Sequence, residues 1–256
     1  MKIERILQWI NGLLETRRFD DVSNNGLQLA REGDDVRKVA FAVDASRAAV
    51  EGAAREGAEL LVVHHGISWD GGIRRLVGPE YEVVKAAMAA NVAIAAYHLP
   101  LDASRKVGNN FEIARALGLK KLKTAFSYHG NVIGVVGVKG RYKVGICSGG
   151  AGEFAVEAKR LGCDVFVTGE ASWGEVVAAE NVSMPMVCAG HYETEVYGVT
   201  ALMREMKRAL KVETVFIRSC PTWSRSQQGR PRISHRSARL ARKYRPPLQN
   251  RDRRAV

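Results

Sequence analysis

The stretch ELLVVHHG, residues 59–66, decides the fold. Residues 60–63 form a short apolar run rich in β-branched side chains and bounded by Gly57 and Gly66, which reads as a buried strand. Such a strand belongs to a parallel sheet covered on both faces. Upstream, VRKVAFAV (36–43) predicts a strand and residues 46–56 a helix. Downstream, 80–90 predicts a helix and VAIAAY (92–97) another strand. Ahead of these, Ile3, Ile6, Leu7, Ile10 and Leu14 recur at helical spacing, followed by a polar turn at 20–26. A helix at 110–117 closes this first lobe.

A second series follows, with strands expected at 131–139, 142–147, 164–168, 185–188 and 212–217. Helices are expected at 153–161, 173–180 and from about 193 to 210. Strands alternating with helices give an α/β fold with mostly parallel pairing and helices on both faces. The expected division is one domain over 1–222, with lobes of about 1–125 and 126–222 and a metal site between them, then a disordered basic tail over 223–256.

Charge supports that last boundary. The 256 residues carry 39 Lys and Arg against 27 Asp and Glu, a net +12. Residues 221–256 hold 11 of the basic residues and one acid, Asp252, so the tail carries +10 and the body only +2. Any affinity for nucleic acid that follows from charge therefore belongs to the tail, from Arg225 to Arg254. With 46% hydrophobic and 26% charged residues the composition is that of a globular protein, not of a disordered one. No run approaches the ~18 apolar residues of a membrane span. The N-terminal segment is amphipathic rather than a signal-peptide core. Cys147, Cys163, Cys188 and Cys220 form no CxxC pair and read as reduced thiols, so a cytoplasmic protein is expected.

The residues suited to chemistry sit at strand ends. His64 and His65 follow the strand at 59–63, where ligands bind in open α/β sheets. Adjacent strand residues point to opposite faces, so the pair either reaches one crevice through the Gly66 turn or serves two ions. Period-two spacing after VAIAAY places His98, Pro100 and Asp102 on one face, where the Asp102 carboxylate can ligate and bridge two ions, or instead hold a turn. His191 and Glu195 are four apart on one helical face, a spacing used to present two metal ligands and also found in plain surface pairs. Three His, one Asp and one Glu make a nitrogen and oxygen set suited to Zn, Mn, Fe, Co or Ni. Five ligands exceed a single catalytic zinc and fit two divalent ions. The loop CSGGAG (147–152) reads either as a phosphate-binding turn or as a tight strand–helix connection, and Glu170 either joins the site or caps the next helix.

Taken in order, LVVHHGISW (61–69), HLPLDAS (98–104) with GNN (108–110), SGGAG (148–152), TGE (168–170) and GHYETE (190–195) resemble the dinuclear-metal family named for NGG-interacting factor three. Its members are commonly named GTP cyclohydrolase I type 2 homologues. NNGLQL (24–29) and PT (221–222) also fit, so the resemblance covers about 1–222, in the short form of the family. It places the metal ligands on His64, His65, Asp102, His191 and Glu195. It implies two interlinked three-layer α/β lobes, ring-shaped homohexamers and a hydrolase acting on a purine nucleotide, with the triphosphate at SGGAG. His98 is the candidate proton shuttle, because His titrates near working pH. The alternative is a non-enzymatic metal-binding, regulatory or nucleic-acid-interacting ring. Ser104, where many relatives have His, and Trp173-Gly174, in place of an aromatic–His pair, depart from the family pattern.

Overall fold

The computed structural model describes residues 1–73 and 75–219; Cys220 and the basic tail lie outside the described residues. The chain runs through α1 (Ile3–Leu14), β1 (Gly26–Leu29), β2 (Lys38–Asp44), α2 (Arg47–Arg55), β3 (Leu60–His65), α3 (Gly78–Ala90) and β4 (Ala93–Ala96). Then come α4 (Leu99–Ala103), α5 (Asn109–Ala116), β5 (Lys120–Tyr128), β6 (Asn131–Lys139), β7 (Tyr142–Cys147), α6 (Ala155–Arg160) and β8 (Val165–Thr168). The last elements are α7 (Trp173–Asn181), β9 (Met186–Cys188), α8 (His191–Leu210) and β10 (Glu213–Phe216).

Two five-stranded sheets form, in the orders β1-β4-β3-β2-β10 and β5-β6-β7-β8-β9. In the first, β4, β3, β2 and β10 run parallel and β1 is an antiparallel edge. In the second, β7, β8 and β9 are parallel while β5 and β6 are antiparallel. This is the expected mixed, mostly parallel α/β architecture. The last strand returns to the first sheet: β10 pairs with β2, so the second sheet lies between two passages of the chain through the first.

Period-two alternation sorts each strand between two helical layers. Val39, Phe41, Val43, Leu60 and Val62 face α1 and α8 together with Ile6, Ile10, Leu202 and Met206. Ala40, Ala42, Leu61 and Val63 face α2 and α3. In the second sheet Val136 and Phe166 pack with Ala155, Ala158 and Ala179 of α6 and α7, and Val135, Val144 and Ile146 with Phe111 and Ala114 of α5.

Local chemistry sets the helix ends. Ser46 accepts the Ala49 N–H at the start of α2, and Ser172 with Glu175 forms a reciprocal cap on α7. Three elements depart from the sequence expectation. The strands β1 and β5 were not expected: β1 is a four-residue sheet edge, too short to show a period, and β5 is an edge whose exposed positions carry lysines. Residues 99–103 form a helical turn, not a continuation of a strand, so the period-two grouping of His98, Pro100 and Asp102 fails. Asp102 donates its N–H to the His98 carbonyl at 3.2 Å, and the two residues share a side one helical turn apart instead. Of the described cysteines, Cys147 and Cys163 are buried and Cys188 is exposed, all unpaired.

Helix α8 holds the first layer in place. Leu202 is fully buried in the cluster between α1 and the first sheet, so Leu202→Ala is expected to lower the unfolding free energy by about 2–5 kcal/mol, read from urea denaturation. On its outer side, Arg208 and Lys106 hold the Glu205 carboxyl down to about 2. A depressed carboxyl contributes stability above its ordinary pKa and loses it as pH falls toward 2. The stability gap between wild type and Glu205→Gln is therefore expected near pH 7 and should close on acidification, as measured by thermal melts across that range.

Candidate metal centre

The centre lies where β3, the turn after β4 and the first turn of α8 meet. Alternation directs His64 toward α8, and burial of this last part of β3 leaves its imidazole fully enclosed. His65 ends the strand opposite Asp44 of β2. The two rings stack tilted at 4.6 Å between centroids, so the tandem does reach one crevice. Helix α8 begins at His191 because Gly190, at φ +98°, turns the chain into it, and a Cβ there would meet the Glu193 carboxylate. The i, i+4 spacing then carries Glu195 inward beside His191.

Glu195 is the hub. Its Oε1 lies 3.0 Å from His191 Nε2 and 3.6 Å from His64 Nε2, while its Oε2 lies 3.4 Å from His65 Nε2. Asp102 Oδ2 lies 3.5 Å from His64 Nε2. Glu195 thus turns both oxygens to imidazoles, whereas Asp102 turns only Oδ2 to His64, its Oδ1 being taken by Asn109 Nδ2 at 2.8 Å and Ser148 Oγ at 3.0 Å. All five expected ligands converge, although they come from elements up to 131 positions apart in the chain. Among the described residues two triads have ligand atoms within 4.8 Å of one another: His64, His65, His98 and His65, His191, Glu195.

Each imidazole is anchored on its far side. His64 Nδ1–H donates to the Tyr97 carbonyl at 2.9 Å, His65 Nδ1–H to Asp44 at 2.8 Å and His191 Nδ1–H to Glu170 at 2.9 Å. His98 Nδ1–H donates to Asp21 at 2.9 Å. This outer ring of acceptors fixes tautomer and orientation, as in carboxylate–histidine–metal arrangements. Glu170 thus joins the site. Asp44 and Asp21 gave no sequence signal of their own, since a carboxylate after a strand or in a polar turn is commonplace.

The segment 20–29 clamps the loops that carry the imidazoles. Gln28 Oε1 accepts the N–H groups of Ile67 and Ser68 at 2.7 and 3.0 Å, and Asn25 Oδ1 accepts that of His98 at 2.8 Å. Asn109 Oδ1 accepts the Gly198 N–H of α8 at 2.6 Å, tying the Asp102 carboxylate to the helix that bears Glu195.

Charge is balanced around a gap. Burial opposes ionisation of His65, but the Asp44 and Glu195 carboxylates outweigh it and push its pKa up to about 10. The Glu195 carboxylate raises His191 to about 9 against burial. Burial likewise works against charge on His64, yet Asp102 and Glu195 raise it. Glu195 itself is held well below the usual range: burial would raise it, and the surrounding imidazoles more than offset that. Even so, His64 Nε2 and Glu195 Oε2 are buried without a hydrogen-bond partner. Facing nitrogens and oxygens 3.0–3.6 Å apart match the edge of a tetrahedron around an ion with bonds of ~2.1 Å, about 3.4 Å. The residues fit a borderline divalent cation.

In the loop 148–152 three N–H groups are engaged within the fold. Ser148 N–H is taken by Asn110 Oδ1 at 2.7 Å, Gly149 N–H by Thr194 Oγ1 at 3.1 Å and Ala151 N–H by Thr168 Oγ1 at 3.2 Å. Gly149 makes room. A Cβ on Gly149, at φ +68°, would lie 2.6 Å from Glu195 Oε1.

The chain matches Duf34/NIF3 (NGG1p interacting factor 3) over residues 1–141 and 131–222. It belongs to the Duf34/NIF3 family. A GTP cyclohydrolase 1 type 2 homolog of Deinococcus radiodurans is 34% identical over 244 residues, covering 84% of this chain and 92% of that protein. The homolog from Archaeoglobus fulgidus is 35% identical over 243 residues, covering 85% and 98%. Among solved structures, protein ybgI, titled as of unknown function, superposes with a TM-score of 0.75 at 28% identity, covering 86% of this chain and 99% of its own. TTHA1606 from Thermus thermophilus gives 0.72 at 29%, covering 87% and 99%. The Duf34/NIF3 chain has no helix among its described residues long and apolar enough to cross a membrane.

Gly149→Ala is expected to displace the Glu195 carboxylate. Elemental analysis of the purified variant should show less than half the wild-type metal per chain, with the far-ultraviolet circular dichroism of the folded protein retained.

Proposed function

We propose that this Duf34/NIF3 chain holds two divalent ions and is a metal-dependent hydrolase of the GTP cyclohydrolase 1 type 2 kind. One observation carries the reading: a buried carboxylate, Glu195, offers one oxygen to His64 and His191 and the other to His65, while His64 Nε2 and Glu195 Oε2 are buried without a hydrogen-bond partner. In this reading His64, His65, Asp102, His191 and Glu195 would together hold the ions. Bound there, a pair of such ions supplies Lewis acidity and lowers the pKa of an attacking water.

The chain's own residues do the rest. Asp44, Glu170 and the Tyr97 carbonyl keep the Nε2 atoms turned inward. Asn109 and Ser148 hold Asp102 so that only its Oδ2 faces the site. In this reading His98, with Nδ1–H on Asp21, would take at Nε2 the proton that the water gives up. The relatives' name supports a purine nucleotide, GTP, as the first substrate to test. The assembly expected with this reading is a ring of six chains of 28.1 kDa, about 169 kDa by sedimentation velocity.

Elemental analysis paired with GTP turnover tests the proposal. Wild type is expected to carry two ions per chain and to release product. Glu195→Gln, which keeps shape but halves the charged oxygens, should lose most of the metal together with turnover. Metal-loaded protein inert toward GTP and other purine nucleotides would favour the alternative of a metal-binding ring without catalysis. Turnover that survives metal stripping would refute the metal-dependent reading altogether.

A further inference from the structure

Four imidazoles ring the centre, and one differs from the rest. His64, His65 and His191 each turn Nε2 toward Asp102 or Glu195. Among the described residues, the carboxylate that pairs with His98 is Asp21, on Nδ1. The His98 ring stands 5.1 Å from His64 and 5.8 Å from His65, and Trp69 meets it edge-on at 5.2 Å. Trp69 is itself pinned by its indole N–H on the Gly66 carbonyl at 3.1 Å. His98 is thus oriented as firmly as the ligands but not turned onto their carboxylates.

The orienting group is built with care. The Asp21 side chain is 1% exposed. Its Oδ1 accepts His98 Nδ1–H at 2.9 Å and the Ser23 N–H at 3.1 Å. Its Oδ2 accepts Asn25 Nδ2 at 2.8 Å and the Leu99 N–H at 2.9 Å. Asn25 in turn accepts the His98 N–H, so backbone and ring of His98 are held by one segment, 21–25. An ionised carboxylate with four donors upon it has no proton to give, so Nδ1 carries the hydrogen of this bond, and in the neutral imidazole the lone pair lies at Nε2.

We propose that Asp21 is a positioning residue that locks His98 as the Nδ1–H tautomer and presents Nε2 as a hydrogen-bond acceptor to the attacking water or to a substrate N–H. The proposal rests on the hydrolase reading for its purpose but not for its geometry, and the two fail separately.

The test uses full-length protein loaded with Zn(II), which is diamagnetic, and ring ¹⁵N correlation spectra. Wild-type His98 should show Nδ1–H and a bare Nε2. In Asp21→Asn the carboxamide can donate to Nδ1, so the ring should convert to the Nε2–H tautomer while metal per chain stays at the wild-type value. With GTP as probe, kcat should fall roughly 100-fold or more with KM within about twofold. His98→Gln should fall to the same level, and the double variant no further, because one removes what the other positions. An Nε2–H tautomer in wild type overturns the proposal. So does an Asp21→Asn protein that changes tautomer yet keeps full turnover. If wild type turns over no nucleotide, the hydrolase reading falls, and the tautomer measurement still decides this one.

Discussion

A carboxylate buried among imidazoles is the constraint around which this molecule is arranged. Glu195 is almost wholly removed from water, and an isolated carboxylate in that setting would be costly to ionise. Three histidines from two elements offset that cost, and each must be aimed to do so. The aim comes from outside the centre: a β2 carboxylate for His65, a β4-end carbonyl for His64, the residue after Thr168-Gly169 for His191. Removing any of these would leave a ring free to rotate beside a buried charge.

The two sheets are joined through the same constraint. Helix α8 starts at the second sheet's strand ends, where Gly190 N–H donates to the Gly169 carbonyl, and finishes against the first sheet, into which β10 then inserts. Asp102 receives hydrogen bonds from α5 and from the loop after β7, and Asn131 at the start of β6 donates to the Asp20 carbonyl. The centre is therefore assembled by contacts from both halves of the chain, which suits a site that needs donors at fixed separations of about 3 Å.

Much of this was legible in the sequence because buried parallel strands announce themselves. The runs at 60–63 and 93–96 are apolar throughout, and the tandem histidines follow one of them directly. The i, i+4 spacing of His191 and Glu195 survives because α8 is a regular helix of 20 residues. Other features were hidden for physical reasons. Edge strand β1 is only four residues long and β5 is broken by lysines, so neither shows a sustained apolar pattern. Asp102 was reached by the wrong periodicity, since Pro100 permits a helical turn where an extended strand end was expected. Which carboxylate turns both oxygens to the imidazoles cannot be read from spacing at all: Asn109 and Ser148 occupy one oxygen of Asp102. The glycines of 148–152 read as a turn or a phosphate loop, and in the fold Gly149 has a steric part, since a Cβ there would crowd Glu195.

The central claim is spatial, and anomalous diffraction from crystals soaked in a zinc or cobalt salt tests it most directly. The account predicts two peaks about 3.5–4 Å apart, both among His64, His65, Asp102, His191 and Glu195. A single peak, or peaks that leave Glu195 uncoordinated, would contradict it.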